Sequence, residues 1–158
     1  MPTPIYAYFD GIDGSNEQSG REKSVQILEA NHVVEIPVDV KDASATSKRL
    51  HRAFELTANV DKATPLLAEC VCNSKTIATV KLEYWRINEE GIEENYFNVE
   101  MEKVRIVKMK NWFPNVDYEP TGTYKHMMTY DLRYDKITWT YTDGNLSFSD
   151  EWKKPNAG

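Results

Sequence analysis

Two cysteines, Cys70 and Cys72, and three histidines, His32, His51 and His126, are the side chains in this sequence best suited to chemistry. A thiol paired with an imidazole, such as Cys70 with His51 or His126, could act as a nucleophile if the thiol were exposed and its pKa lowered. Cys70 instead falls on the apolar stripe of a short helical segment, where a thiol serves as a small buried hydrophobe. Residues at i and i+2 of a helix point to different faces, so the two cysteines cannot easily bridge each other, and both read as reduced, buried thiols. A zinc site takes about four ligands, and the histidines are scattered along the chain. Carboxylate pairs such as Asp131 with Asp135 fit solvent-facing positions on a strand better than the paired acids of a glycosidase, which need a cleft. Asp10–Ser15 is turn chemistry and not a calcium loop, because Ile12 and Gly14 stand where oxygen ligands are required. The chain has no nucleophile elbow, zinc-protease helix, dinucleotide fingerprint or phosphate loop. The residues therefore point to no catalytic group, no metal and no cofactor.

The bulk numbers narrow the classes further. The chain has 158 residues, which suits one domain spanning 1–158, and 41 % of them are hydrophobic, which is globular composition. Its formal charge is −6, from 25 acidic and 19 basic residues, a balance that repels nucleic acid. Two basic clusters remain, Lys48-Arg49 with Arg52 and Lys103-Arg105-Lys108-Lys110. The second lies in a strand-like segment and reads as a solvated sheet face. No apolar run approaches the roughly 20 residues that cross a bilayer. Neither a basic start nor an apolar core of a signal peptide is visible. Synthesis in the cytoplasm, and exit by a route that reads no signal peptide, are the expectations.

Alternation of apolar and polar residues dominates the elements that must position any site. Ile5, Ala7 and Phe9 mark a first strand, and Val34, Ile36 and Val38 mark the end of a second extended region over 24–40, with Pro37 placing it at an edge. Phe54, Leu56, Ala58 and Val60 give the clearest half-buried strand. Thr64-Pro65 reads as an N-cap followed by proline at the first helical position, opening one short helix that stops at Asn73. Strands over 76–88 and 92–101 flank the hairpin signal Asn88-Glu-Glu-Gly91. Apolar parity then changes twice. Phe97, Val99 and Met101 are odd but Val104 and Ile106 even; Leu132 and Tyr134 are even but Ile137, Trp139 and Tyr141 odd. A one-residue shift flips every side chain to the other face, so turns or bulges belong near Glu102-Lys103 and Asp135-Lys136. Residues 111–123 form an aromatic loop. About eight strands with one short helix argue a mainly β protein, a compact barrel of two packed sheets with an extended loop. Its strand edges must be covered, charged or paired with another chain.

Several stretches resemble the haemolysin-coregulated protein (Hcp) family, the inner-tube proteins of bacterial type VI secretion systems. They are Met1-Pro-Thr-Pro before the first strand, His51-Arg-Ala-Phe54, Asp61-Lys-Ala-Thr-Pro-Leu-Leu67, Val80-Lys-Leu-Glu-Tyr-Trp-Arg86, Gly91, Tyr96-Phe97, the strand pair before Trp139, and Asp150-Glu-Trp152. Their order and spacing carry the match, which runs the full length. The resemblance implies a phage tail-tube-like barrel that assembles as homohexameric rings. Rings stack into a tube inside a contractile sheath, are driven out behind a spike protein, and carry small effectors in the lumen. It also implies no enzyme activity, no membrane insertion, and export to the extracellular space or a target cell. Some members carry a C-terminal effector domain; the stop at Gly158 reads as the plain tube subunit.

On that resemblance the segment Asp39, Lys41, Asp42, Ser44, Thr46, Ser47, Lys48 and Arg49 corresponds to the loop that reaches the neighbouring ring, though it lacks the glycines common there. Glu29 and Asn31, where alternation breaks between Leu28 and Val33, are expected to face the lumen. Two other readings stay open: a monomeric binding module or secreted effector with a pocket lined by Trp112, Phe113 and Tyr118, and a phage tail-tube protein.

Overall fold

A computed structural model describes residues 3–118 and 125–152. Met1 and Pro2, the second part of the aromatic loop and the tail after Trp152 lie outside the described residues. Among these described residues ten strands and one helix follow in order: β1 Ile5–Phe9, β2 Val25–Asn31, β3 Val34–Glu35, β4 Leu50–His51, β5 Phe54–Asn59, α1 Thr64–Cys72, β6 Thr76–Ile87, β7 Glu93–Trp112, β8 Met127–Arg133, β9 Lys136–Tyr141 and β10 Leu146–Glu151. All pairings are antiparallel. Six strands close a barrel in the order β1-β2-β5-β8-β7-β6, while β9 and β10 extend the sheet beyond it and β3-β4 form a separate ribbon.

The inward set is the one the alternation marks. Ala7, Phe9, Ile27, Leu56, Ala58, Val80, Leu82, Met128, Tyr130 and Leu132 meet in one core. Helix α1 packs on β7 and turns Leu67 and Cys70 inward. Its start lies one residue earlier than the sequence suggests: Ala63 is the N-cap and Thr64 is already helical. Thr64 Oγ1 accepts the Asp61 amide at 3.0 Å, and Asp61 Oδ1 accepts the Ala63 amide at 3.0 Å, so the entry turn is closed by side chains outside the usual cap position. Asn73 ends the helix as expected. Cys70 is buried, and burial raises its thiol pKa; Cys72 is exposed, contrary to the expectation for both, because two residues along the helix is a turn of about 200°.

The two parity changes are two sides of one corner. On β7, Val99 and Met101 point inward, Lys103 adopts φ 54°, and Val104 and Ile106 point inward after it. Here β7 exchanges partners: Glu102 is the last residue opposite β9 and Arg105 the first opposite β8. The opposing chain breaks at the same level, between Tyr134 and Ile137, and the Asp135 amide donates to Glu102 O at 3.0 Å. One 20-residue strand thus serves the barrel wall and the outer sheet. A second bulge, between Ile27 and Glu29 on β2, leaves Leu28 48 % exposed and accounts for the broken alternation there.

The alternation of Val34, Ile36 and Val38 has a different outcome. Only Val34–Glu35 pairs as a strand, with one further bridge from Val38 to Ala45. Ile36, Val38 and Val40 stand in solvent. The pattern marks a projecting ribbon and not a wall of the core.

Candidate functional site

The projecting segment supports itself. The Asp39 amide donates to Ser44 O at 2.7 Å, and Asp39 Oδ1 accepts the Lys41 amide at 2.7 Å. Asp42 Oδ1 accepts both the hydroxyl of Ser44, at 2.7 Å, and its amide, at 3.0 Å, and these bonds hold the Asp42 carboxyl below its ordinary range. Thr46 returns its amide to Pro37 O at 2.8 Å, and Ser47 Oγ donates to Lys48 O at 3.0 Å. The polar composition read as a loop therefore builds a closed turn that presents Lys41, Lys48 and the valines outward. Arg49 belongs elsewhere. Its guanidinium turns back to the barrel, donating to Asp150 Oδ2 at 2.5 Å and to Glu151 O at 2.9 Å. It fastens the root of the segment to β10.

Glu29 and Asn31 share one outward face of β2, where Asn31 Nδ2 donates to Glu29 Oε1 at 2.9 Å. Register carries that face across four strands in two rows, Glu29–Thr57–Thr129–Lys110 and Asn31–Glu55–Asp131–Lys108. Thr129 Oγ1 joins the Thr57 hydroxyl at 3.3 Å and accepts from Trp112 Nε1 at 3.1 Å. Lys108 and Lys110, from the basic stripe, thus sit in rows with acids; Arg105 of the same stripe pairs with Asp135, and Arg52 of the other basic cluster pairs with Glu35. The result is a polar wall of mixed charge with a shallow hollow at one end, lined by Leu28, Asn59, Trp112 and Met127 among others. Phe113 and Tyr118 stand exposed and do not line that hollow, so the three-aromatic pocket does not form among the described residues.

The third feature is an edge. Among the described residues β10 is the outermost strand of the sheet, paired with β9 alone. Leu146 and Phe148 on it are 67 % and 65 % exposed, with the Phe148 ring stacked on Trp139 at 6.2 Å. An exposed, apolar edge strand is a template for pairing with another chain.

One cluster is not legible in the sequence. His32 and His51, read as scattered, come together with ring centroids 6.3 Å apart because β2 leads into the ribbon and β4 leads out of it. Both reach the hydroxyl of Tyr134, His32 Nε2 at 2.8 Å and His51 Nδ1 at 2.5 Å. His51 Nε2 meets Asp150 Oδ2 at 2.7 Å, and Trp152 Nε1 donates to Tyr134 O. Burial, and then the neighbouring His51, push the pKa of His32 down to about 4. Burial, then the Asp150 charge, raise that of Tyr134. Burial pushes Asp150 up, but hydrogen bonds from Arg49 and His51 outweigh it and the carboxyl titrates below its usual range. The Asp–His–Tyr order has the form of a proton relay, yet Tyr134 and His51 are each only 2 % exposed, which leaves no approach for a substrate. Its work is structural: it ties the ribbon, β8 and β10 together.

These features agree with what the chain is similar to. The family model described as "Type VI secretion system effector, Hcp" matches residues 6–141. The "Major exported protein" of Pseudomonas aeruginosa is 30 % identical over 152 residues, covering 96 % of this chain and 88 % of that protein. A double mutant of the Hcp1 protein from the E. coli EAEC 042 pathovar shares 32 % identity and superposes with a TM-score of 0.82, over 96 % of this chain and 99 % of that one. The secreted protein Hcp3 of Pseudomonas aeruginosa, 24 % identical, shares the fold with a TM-score of 0.75 over 97 % of this chain and all of that one. With most of its length matched by the family model and by a relative 30 % identical, the chain belongs to the Hcp family, structural and secreted components of type VI secretion and not enzymes.

Proposed function

We propose that this chain is the repeating subunit of a type VI inner tube. Six copies close a ring, rings stack, and the tube is driven out by a contractile sheath behind a spike, so that the subunit is itself exported and can carry small effectors in the lumen. The observation that carries this reading is the exposed β10 edge. A head-to-tail contact repeated by rotation closes a ring, and Leu146, Phe148 and the open backbone of β10 supply one half of such a contact. The self-supported turn at 39–48, with Ile36, Val38 and Val40 exposed beside it, supports a role in ring-to-ring contact. The polar wall bearing Glu29 and Asn31 supports a lumenal face, since mixed charge and threonines hold water and bind cargo weakly enough to release it.

Ring closure and stacking should therefore separate. Deletion of residues 42–47 removes the turn but not Arg49 or the cluster at the root. Hexamers should persist in solution, and tubes should vanish from negative-stain images. Tubes unchanged by the deletion would remove this segment from the stacking contact.

A further inference from the structure

We propose that the His32–Tyr134–His51–Asp150 cluster is a latch limited to one histidine proton, so that acid releases the root of the 33–50 segment from the barrel. The inference rests on the fold alone and holds whether or not rings stack.

The hydrogen bonds set the limit. The Asp150 carboxylate can only accept, so the proton of the His51–Asp150 bond lies on His51 Nε2. In neutral His51, Nδ1 is then bare and accepts the Tyr134 hydroxyl proton at 2.5 Å. With that proton used, the tyrosine oxygen accepts from Nε2–H of His32 at 2.8 Å. Every donor points toward Asp150. If His51 takes a proton, Nδ1 becomes a donor and the chain must reverse. The hydroxyl then donates to His32 Nε2, which has to be bare, so His32 is neutral in its other tautomer. If both rings are protonated, the hydroxyl faces two donors and its own proton has no acceptor in the cluster. A buried donor left unpaired is destabilising, before the repulsion of two cations whose rings lie 6.3 Å apart.

The surroundings give the second charge little relief: a hydrogen bond to the Arg52 backbone favours charged His32, but burial and His51 outweigh it. Phe54 from β5 stacks on His32 at 4.7 Å, and Trp139 from β9 lies 6.3 Å from His32 and 6.4 Å from His51. Asp150 from β10 is the acid in contact with the cluster and is already shared with Arg49. Arg133 from β8 adds another cation, donating to His51 O at 2.8 Å. Glu35 on β3 is occupied by Arg52 in an exposed pair. Everything that would move on failure of the latch hangs from these contacts: the ribbon is held by His32 at one root, and by His51 and Arg49 at the other.

The direction of the pH effect follows. The His32 pKa of about 4 in the fold lies below its ordinary 6.5, so opening the root takes up a proton. Stability of the closed root is therefore lost progressively as pH falls from 6.5 toward about 4. By linkage, the opening equilibrium should rise about 20-fold between pH 7 and pH 5. Asp150, held low, acts in the same sense at still lower pH.

Amide hydrogen exchange on the full chain, corrected for the intrinsic pH dependence of exchange, reads this directly. The Arg52 amide, bonded to Val33 O, and the β3–β4 amides should lose about 20-fold in protection from pH 7 to pH 5, while β5 and β8 do not change. In His32→Phe the ring can still stack on Phe54 and Tyr134 can still donate to His51; whatever the lost His32 bonds cost at pH 7, root protection should no longer fall between pH 7 and pH 5. Equal pH dependence in wild type and variant would overturn the latch. A histidine ring titration of the wild-type chain tests it without any substitution. Only one of His32 and His51 should gain a proton while the root amides remain protected; both charged with the root intact would overturn the proposal.

Discussion

Replacing Phe148 and Leu146 together by aspartate should convert rings into monomers at micromolar concentration without unfolding the barrel. Each side chain is about two-thirds exposed in the single chain, at 65 % and 67 %, so little of the fold depends on it. In a ring the same area would be covered. Burying an apolar side chain of this size contributes about 1.5–3 kcal/mol, and a desolvated carboxylate in its place opposes association instead of driving it. Two substitutions per contact should therefore weaken each contact by a factor of 100 or more. The melting temperature of the monomer should shift by no more than a few degrees. Size-exclusion chromatography with light scattering checks the first statement and a thermal melt the second. Rings that survive the double substitution would show that closure uses a different surface.

The second large effect concerns folding. Gly14→Ala should destabilise the chain by about 3 kcal/mol or more, although Gly14 lies in a polar loop. A Cβ there would sit 2.2 Å from Ser24 O, 2.5 Å from its carbonyl carbon and 2.8 Å from Val25 Cγ2. These atoms cannot move cheaply. Ser24 is fully buried, its Oγ donates to Arg21 O at 2.7 Å and accepts from Asn16 Nδ2 at 2.9 Å, and Val25 opens β2. The Gly14 amide itself donates to Lys23 O at 2.8 Å. Overpacking against fixed backbone costs about 1–3 kcal/mol and occasionally more, and each kcal/mol lowers Tm by about 2–4 °C in a domain of this size. A fall on the order of 10 °C is expected. Gly20→Ala is the control: at φ 83° it meets nothing within 4 Å and should cost only about 1–2 kcal/mol of backbone strain. Equal melts for the two variants would mean that the loop yields and the close approach is not rigid.

The barrel was legible because its signals are local. Alternation identified the strands, and parity changes near Lys103 and Asp135 located the corner where β7 passes from β9 to β8. A shift of parity is a physical event in one strand and needs no knowledge of its partner. The same pattern misled at Val34, Ile36 and Val38, because alternation reports a two-faced strand and not what lies beneath it. Contacts between distant segments left no such trace. His32, His51, Tyr134 and Asp150 are separated by up to 102 residues along the pairs they make, and each alone looks ordinary. Arg21 is similar. It lies in a loop of charged residues, yet its guanidinium is buried against Trp85 at 3.9 Å and Tyr6 at 5.3 Å and paired with Glu93 at 2.7 Å. Arg49 adjoins the loop in sequence, and only its hydrogen bonds to Asp150 and Glu151 show that it anchors the root. Of the surfaces, the edge problem of an all-β chain was foreseeable, but which strand stays open was not, since that depends on which strands close the barrel.

Native mass spectrometry at micromolar concentration, with negative-stain images of the same sample, tests the tube-subunit reading most directly. A complex of six times 18.3 kDa, seen as open rings, is the expected result. A chain that remains a monomer at every concentration tried would contradict it.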